Sequence, residues 1–378
     1  MGSFWHKIMV LLLVLISLHI VGLSVAQNWQ DQFTFNGFYT IDLTMTDEDI
    51  DVISSGGPRF FEDKKPSINN SLIGVQVRYD FNEKLAATIQ GTAFLDRNDS
   101  LDFDLNWGYL SYQFDNDWQG RVGKFQIPFL QGTELRNVGF TRLWARPLTP
   151  GSGAAGYDFY QGLEVLKKVS YDESSWEFQW GFGKAEHNLE DQIDNQDMAL
   201  FTTRYLRDDF WLRGALLHAN YQVISPRGTL IENAGNILMG SLESEWRPND
   251  WVINLGYSQS KGDTVPDDTM TYLSVGRVFG DFTPYILGSY RNQNFPRVRQ
   301  INAPPGPPPG GPGSGPPAPP QGDLDLYSQA LGVRWHINPK TALKLQFEHL
   351  KRDDQSRAAV GRQLNEGNVI SIIMEGVF

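Results

Sequence analysis

Apolar and polar residues alternate one by one along much of the chain. The pattern is clearest in residues 33–45, 72–81, 176–184 and 251–260. In LIGVQVRYDF (residues 72–81), the odd-numbered positions carry Ile, Val, Val, Tyr and Phe, and the even-numbered positions from 74 carry Gly, Gln, Arg and Asp. A period of two predicts strands with one apolar and one polar face. Segments of about ten residues have the length that a tilted strand needs to cross a bilayer.

The connections between these segments are of two kinds, and the two kinds alternate. Seven are short and rich in Asn, Asp, Gly or Pro, as in FNEKL, FDNDW and RPNDW, which is the composition of tight turns. Eight are long, at about residues 46–71, 97–102, 130–159, 187–197, 223–236, 262–269, 293–323 and 352–366. Fifteen connections separate sixteen strands. This number is predicted to within two strands, because the alternation is weak in residues 103–114, 210–222 and 270–291.

These patterns predict an all-β fold over residues 27–378. The fold is a transmembrane antiparallel β-barrel of about 16 strands, with short periplasmic turns and long extracellular loops. After the first residues, no stretch approaches the roughly 18 consecutive apolar residues of a membrane-spanning helix.

The C-terminal segment GNVISIIMEGVF fits the last strand of such a barrel. A closed barrel has no spare edge, so its last strand pairs with its first. Ile370, Ile372, Met374 and Phe378 would face lipid, and Glu375 would face the lumen.

The N-terminal segment and the composition indicate export. Lys7 precedes an apolar run and a small-x-small site at Ser24-Val25-Ala26, so we expect residues 1–26 to be a signal peptide. The formal net charge is −12, there is no cysteine, and aromatic residues make up 13 % of the chain. An exported, acidic, aromatic-rich chain of this kind suits an outer-membrane barrel and lacks the basic surface that nucleic acid requires.

The segment GRVGKFQIPFLQGTELRNVGFTRLWARPLTPGSGAAGYDFYQGLEV (residues 120–165) resembles the sixteen-stranded, trimeric porins of bacterial outer membranes. The matching residues are Gly123, Lys124, Phe125, Pro128, Trp144, Arg146, Pro147 and Gly162. Within this family, the segment most resembles the phosphate-selective porins, but the sequence lacks the stack of lysines or arginines that is typical of that branch. The ending on Phe378 likewise resembles the C-terminal signature that the barrel-assembly machinery recognises.

The resemblance implies that residues 130–159 form a constriction loop that folds into the lumen. Its charged residues, the expected pore constriction, are Glu134, Arg136, Arg142, Arg146 and Asp158. These arginines could face carboxylates across the pore and set up a transverse field, or they could pin the loop to the wall through carboxylate pairs. The sequence leaves both readings open.

Strand alternation also identifies charges that face the lumen. The clearest are Asp42, Arg78, Lys124, Arg204, Arg334 and Lys344. Over the whole wall, acidic and basic inward positions are nearly equal in number, so the sequence predicts neither anion nor cation selectivity.

Other chemistry finds little support in the sequence. Two acidic stretches, residues 47–51 and 186–197, could hold Ca²⁺, but without a calcium-loop spacing they are interpreted as solvated loops. No histidine pair has metal-ligand spacing, and no catalytic nucleophile motif is present. We therefore predict no catalytic residues, no metal and no cofactor. The Pro/Gly-rich tract at residues 303–321 is expected to be an insert in an extracellular loop, because such a tract cannot join a strand ladder.

The function that these features favour is a porin in the outer-membrane lipid: a water-filled, homotrimeric channel for passive diffusion of small hydrophilic solutes or ions. One alternative is a substrate-selective porin for phosphate, other anions or oligosaccharides. Another is a barrel that serves only as the mount for an outer-membrane enzyme or adhesin.

Overall fold

The computed structural model describes most of the chain after the N-terminal segment. The described residues are 32–47, 50–54, 57–61, 65–68, 71–95, 101–130, 133, 135–146, 157–187, 193–224, 230–263, 267–295, 322–354 and 366–378. The expected signal peptide (1–26) and the Pro/Gly-rich tract (303–321) lie outside these residues. No helix among the described residues has the length and apolar character needed to span a membrane.

Sixteen antiparallel strands form one closed barrel, in which each strand pairs with its neighbours in sequence and the first pairs with the last. The barrel strands are β1 (Phe33–Thr46), β4 (Leu72–Asp80), β5 (Leu85–Leu95), β6 (Leu101–Gln113), β7 (Trp118–Gln126), β8 (Tyr157–Tyr171), β9 (Ser174–His187), β10 (Ile193–Arg207), β11 (Phe210–Ile224), β12 (Leu230–Trp246), β13 (Trp251–Gly262), β14 (Asp267–Arg277), β15 (Phe282–Phe295), β16 (Gly322–Asn338), β17 (Thr341–Asp354) and β18 (Glu366–Val377). The predicted fold and strand number are confirmed.

One connection contains structure that the sequence did not predict. Between β1 and β4, where we expected only a loop, β2 (Ile50–Ser54) and β3 (Gly57–Phe61) pair as a separate two-stranded sheet. Each of these strands has only five residues, so apolar and polar positions alternate over too short a stretch to distinguish the strands from a loop in the sequence.

The alternation along each strand separates an apolar outside from a polar inside. In β13, Trp251, Leu255 and Tyr257 are exposed on the outer face, whereas Asn254 and Ser258 are buried on the inner face. The same outer face in other strands presents Leu163, Leu216, Leu238, Leu273, Ile286, Leu331, Leu345 and Ile370. An apolar outer band of this kind is the surface that faces lipid in outer-membrane barrels.

The short turns lie together on one rim. Five non-glycine residues with positive φ, all Asn or Asp, shape these turns: Asn116 (φ 59°), Asp117 (φ 59°), Asp172 (φ 44°), Asp208 (φ 45°) and Asn249 (φ 53°). Asn and Asp tolerate this left-handed conformation better than other residues that carry a side chain, which is why they mark hairpin turns in the sequence.

Exposed aromatic side chains surround the barrel close to the same rim. They are Phe81, Tyr112, Phe114, Trp118, Tyr171, Trp176, Trp246, Trp251, Phe279, Phe282 and Trp335. Aromatic rings concentrate at the membrane interface because they combine an apolar body with a polar edge. The girdle therefore marks the interface on the short-turn side, which is the periplasmic side in outer-membrane barrels.

The barrel closes where β1 meets β18. Phe38 to Thr46 pair with Val377 to Val369, and the ladder ends where Gly37 and Phe378 exchange two backbone hydrogen bonds of 2.9 Å each. The ring of Phe378 covers Gly37, and a β-carbon at position 37 would overlap that ring. The last residue of the sequence thus completes the seam with both its backbone and its side chain.

We expect Phe378→Asp to reduce the amount of folded barrel in the outer membrane without reducing export. The substitution places a charge on the outer face and removes the ring that covers Gly37, and a charged residue on a lipid face costs up to about 2–4 kcal/mol, depending on depth. The measurement is the heat-modifiable folded fraction on a gel, with Glu366→Gln at the opposite end of β18 as a control. Equal folded fractions in Phe378→Asp and the parent would contradict the expectation.

Candidate functional site: the lumen and its inner loop

The connection between β7 and β8, residues 127–156, is called the inner loop here, and its described part lies inside the barrel. Its described part comprises residues 127–130, 133 and 135–146. The loop begins three residues earlier than the predicted 130–159, because β7 ends at Gln126 and β8 begins at Tyr157.

The first part of the inner loop packs against an apolar patch on the inside of the wall. Ile127, Phe129 and Leu130 are buried against side chains of β10, β11 and β12: Met198, Leu200, Ala215, Leu217, Ala219, Ile237 and Met239. Burying one large apolar side chain contributes about 1.5–3 kcal/mol, so three of them hold this segment firmly.

Hydrogen bonds fix the backbone of the same segment. The Arg213 guanidinium donates to the Pro128 carbonyl, and the Ser241 hydroxyl donates to the Phe129 carbonyl. Thr133 closes the turn, because its hydroxyl accepts from Leu130 N–H at 2.9 Å and lies 2.7 Å from the Leu130 carbonyl. Buried carbonyls that leave the β-ladder are therefore satisfied by wall side chains and by the turn itself.

A second apolar contact holds the later part of the loop. Leu143 and Trp144 pack against the inner faces of β13–β16 at Val252, Met270, Tyr272, Tyr285, Leu287 and Ala330. The rings of Trp144 and Tyr272 meet edge to face, with centroids 5.6 Å apart. Together the two contacts place the described part of the loop along the inside of β10–β16.

Between these contacts, the short 3₁₀ helix at Gly139–Thr141 rests on a buried ion pair. Lys344 of β17 and Glu375 of β18 pair with each other, and both side chains are fully buried (0 % exposed). The Lys344 ammonium also donates to the carbonyls of Gly139 (2.9 Å) and Trp144 (3.0 Å). A β-carbon at position 139 would overlap the Glu375 carboxylate, so only glycine lets the loop approach this closely.

Arg142 and Arg146 are both 3 % exposed and are directed at the wall. Arg146 forms an ion pair with Glu348, which also accepts from Ser328 Oγ at 2.6 Å. Arg142 Nη2 lies 4.0 Å from Glu375, and its Nη1 donates to the Arg136 carbonyl at 2.7 Å. These are the pinning contacts that the sequence offered as one of two readings.

Other predicted constriction residues are less fully described. Glu134 and the side chain of Asp158 lie outside the described residues. Arg136 is partly exposed. The role of all five residues in permeation stays a prediction.

Five of the six lumen residues expected from the sequence occupy inward positions, but the prediction for Lys124 is wrong. Lys124 pairs with Gln161 on the outer face, in line with the exposed Val122, because Arg121 and Phe125 take the inward positions of β7. Asp42 is buried and accepts from Thr44 Oγ1 at 2.6 Å, and Arg334 donates to the Arg142 carbonyl at 2.8 Å. Arg78 pairs with Asp80 at 2.7 Å. The other two inward residues are Arg204, which lies 3.9 Å from Glu177, and Lys344, described above. The Lys124 ammonium lies 4.7 Å from the Phe159 ring centroid.

Several residues that hold the loop were missed by sequence reasoning. Gln346 accepts from the Ala145 N–H at 3.0 Å and from the Tyr285 hydroxyl at 2.8 Å, and Gly139 makes the close approach to Glu375. Their partners are 61 to more than 200 residues away in the sequence, so no local pattern identifies them. The inward apolar residues Met198 and Leu200 were the available signal, because they break the polar inner face.

A cavity of about 610 Å³ remains beside the loop, on the inside of β6–β11. Its polar lining includes Arg121, Lys168, Glu177 and Arg204, and Tyr109 contributes an aromatic wall. Within the described ranges, no group of three His, Asp or Glu side chains could hold a metal ion. The lumen is therefore narrowed by the loop but not filled by its described part.

We expect Gly139→Ala to lower the single-channel conductance and increase its noise while the barrel still folds. The new methyl group overlaps the Glu375 carboxylate, so the loop must shift toward the pore axis at a cost of about 1–3 kcal/mol. The measurement is single-channel recording. Gly288→Ala is the matched control, because a β-carbon there meets no atom within 4 Å.

The double variant Gly139→Ala/Glu375→Asp tests the cause. Asp keeps the charge for Lys344 but is one methylene shorter, so it should restore much of the parent conductance. Conductance in Gly139→Ala that equals that of Gly288→Ala would show that this contact does not set the loop position.

The comparisons with known proteins give a likeness of structure alone. No protein-family model matches the sequence, and no curated protein matches it. Among solved structures, the chain is similar to a loop-deletion mutant of OmpT, an outer membrane protein of Vibrio cholerae (14 % identity, 92 % of this chain and 99 % of that chain, TM-score 0.58). It is also similar to an anion-selective porin from Comamonas acidovorans (14 %, 92 % and 99 %, TM-score 0.57) and to the outer membrane channel DcaP of Acinetobacter baumannii (11 %, 92 % and 97 %, TM-score 0.56). The chain has the fold of the sixteen-stranded outer-membrane porins.

Proposed function

We propose that the protein is a porin, a water-filled channel for the passive diffusion of small hydrophilic solutes or ions. The observation that carries this proposal is the open cavity of about 610 Å³ beside the inner loop, within a barrel whose outside is apolar. A polar lumen that remains open offers water-soluble molecules a path across the apolar membrane core.

The inner loop is the element that would limit solute size. It lies against the inside of β10–β18 and leaves the β6–β9 side open. We propose that the constriction involves the predicted residues Glu134, Arg136, Arg142, Arg146 and Asp158. Since Arg142 and Arg146 are buried, their proposed contribution is to hold the loop in place.

A homotrimer is the proposed assembly. Sixteen-stranded porins are typically trimeric, and one solved structure of Vibrio cholerae OmpT that is similar to this chain is described as a trimer form. Recognition of the Phe378 end by the barrel-assembly machinery and removal of residues 1–26 are parts of the same proposal.

We expect the purified protein to insert into planar bilayers and conduct ions in discrete steps. An open lumen gives a current that rises linearly with voltage and with salt concentration. Three equal closing levels per insertion event would support the trimer. Folded, inserted protein without conductance would contradict the channel and would favour a barrel that serves as a mount for an enzyme or adhesin.

Excision of residues 303–321 should leave folding and single-channel conductance nearly unchanged. The tract lies in the connection between β15 and β16 on the long-loop rim, where a change in loop length costs little free energy. The measurements are heat-modifiability and single-channel recording, with the full-length protein as the reference. A large change in conductance would show that the tract lines or closes the pore mouth.

A further inference from the structure

The barrel sorts its inward charges in a way that the sequence does not reveal. We counted the inward charged residues that lie within four positions of the short-turn end of each strand, and we compared their numbers on two parts of the barrel wall. On the covered wall, β11–β18, three cations (Arg213, Arg334, Lys344) face three carboxylates (Glu243, Glu245, Glu375). At this level β10 belongs to the open wall, because the loop contacts it only farther from the short turns, at Met198 and Leu200, whereas Arg204 lines the cavity. On this open wall, β4–β10, four cations (Arg78, Arg121, Lys168, Arg204) face two carboxylates (Asp80, Glu177). The positive excess is therefore confined to the wall that borders the cavity.

The cations of the covered wall are occupied by the loop. Arg213 donates to the Pro128 carbonyl, Arg334 to the Arg142 carbonyl, and Lys344 to the Gly139 and Trp144 carbonyls. Arg142 and Arg146 of the loop are themselves buried. Arg213 also lines the cavity, but it is largely buried and its guanidinium donates to the loop.

Lys168 and Arg204 on the open wall are more exposed and only loosely paired. Lys168, Glu177 and Arg204 are direct neighbours across three strands. The closest approach of Arg204 to Glu177 is 3.9 Å, and their side chains are 41 % and 42 % exposed. Lys168 forms no salt bridge with any part of the chain that the structure describes. The Glu177 carboxylate thus lies between the Lys168 ammonium group and the Arg204 guanidinium group.

Arg121 adds a third cation to the same cavity. It lies 3.5 Å from Glu164, but that carboxylate is buried and already accepts from Tyr160 Oη and from Gln179 Nε2. Arg78, the remaining cation, is paired with Asp80 at 2.7 Å. Among the inward residues, Arg121, Lys168, Arg204 and Arg213 line the cavity together with the carboxylates Glu164 and Glu177, which leaves an excess of cations.

Two features hold these groups ready for a ligand. Arg121 lies over the Tyr109 ring at 5.1 Å from its centroid, and Arg204 lies over the Trp211 ring at 5.3 Å. Stacking on a ring restricts a guanidinium group, so less entropy is lost when it binds. In addition, Arg204 stands directly opposite Arg213 on the next strand. Like charges in this position repel, and a bound anion would offset the repulsion.

We propose that Arg121, Lys168 and Arg204 form an anion-binding site on the open wall that gives the channel a preference for anions. The ligand class is an oxyanion, carboxylate or phosphate, since guanidinium groups bind both through paired N–H donors. The proposal rests on the channel function proposed above and names its substrate class. It assigns selectivity to the wall and leaves the loop arginines a structural role.

The test is the reversal potential of the channel in a planar bilayer across a KCl gradient. The parent should prefer chloride over potassium. Lys168→Gln/Arg204→Gln should lower the chloride-to-potassium permeability ratio several-fold, and more at low salt because exposed charges are screened as ionic strength rises. Inorganic phosphate and citrate, added separately to one side, should reduce the chloride current of the parent more than that of the variant, and the stronger blocker identifies the preferred oxyanion.

Matched variants separate a local site from a general charge effect. Lys340→Gln removes one cation from the β16–β17 turn and should leave the ratio unchanged, and Lys168→Arg/Arg204→Lys should keep the parent preference. The single variant Lys168→Gln, at an exposed position, provides the test if the double variant does not fold. Cation preference in the parent, or an unchanged ratio in a folded Gln variant, would overturn the site. Absence of any conductance in the parent would instead overturn the channel.

Discussion

The structure depends on one constraint: in lipid, every backbone N–H and C=O group must find its partner within the protein. A sheet meets this requirement only by closing, so the edge of β1 must pair with β18. Closure explains why the final residues form a strand, and why Phe378 and Gly37 exchange both of their backbone hydrogen bonds. Since every neighbouring pair is antiparallel, closure also requires an even number of strands.

The same constraint decides what the inside of the barrel can hold. The inner loop carries carbonyls that no strand pairs, and at this depth they cannot rely on free access to water. Wall cations satisfy several of them: Arg213, Arg334 and Lys344 each reach a loop carbonyl. A buried cation is costly without compensation, so each also needs a nearby carboxylate or a full set of acceptors. Glu375 and its pairing with Lys344 follow from this requirement.

The sequence predicted the features that depend on local patterns. Period-two alternation located the strands, and Asn and Asp residues such as Asn116 and Asp208 located the turns, because both signals act over a few residues. The β2–β3 hairpin was missed, since five-residue strands show too few alternations. The loop contacts could not be predicted, because Gly139 and Glu375 meet only after the barrel has closed. For the same reason, the sequence could not distinguish an arginine that faces the pore from one that pins the loop, and Arg146 is of the second kind.

The charge of the lumen illustrates the same limit. When the inward acidic and basic residues are counted over the whole sequence, their numbers are nearly equal, and this predicts neither anion nor cation selectivity. Counted by wall and by depth, the balance holds only where the loop lies, and the open wall keeps an excess of cations. The division has a physical reason. A charge that fixes a loop must be buried and paired, and a charge that attracts a solute must remain exposed and only weakly paired. One residue cannot meet both demands well, so a barrel that holds a rigid inner loop leaves the recognition of solutes to the opposite wall.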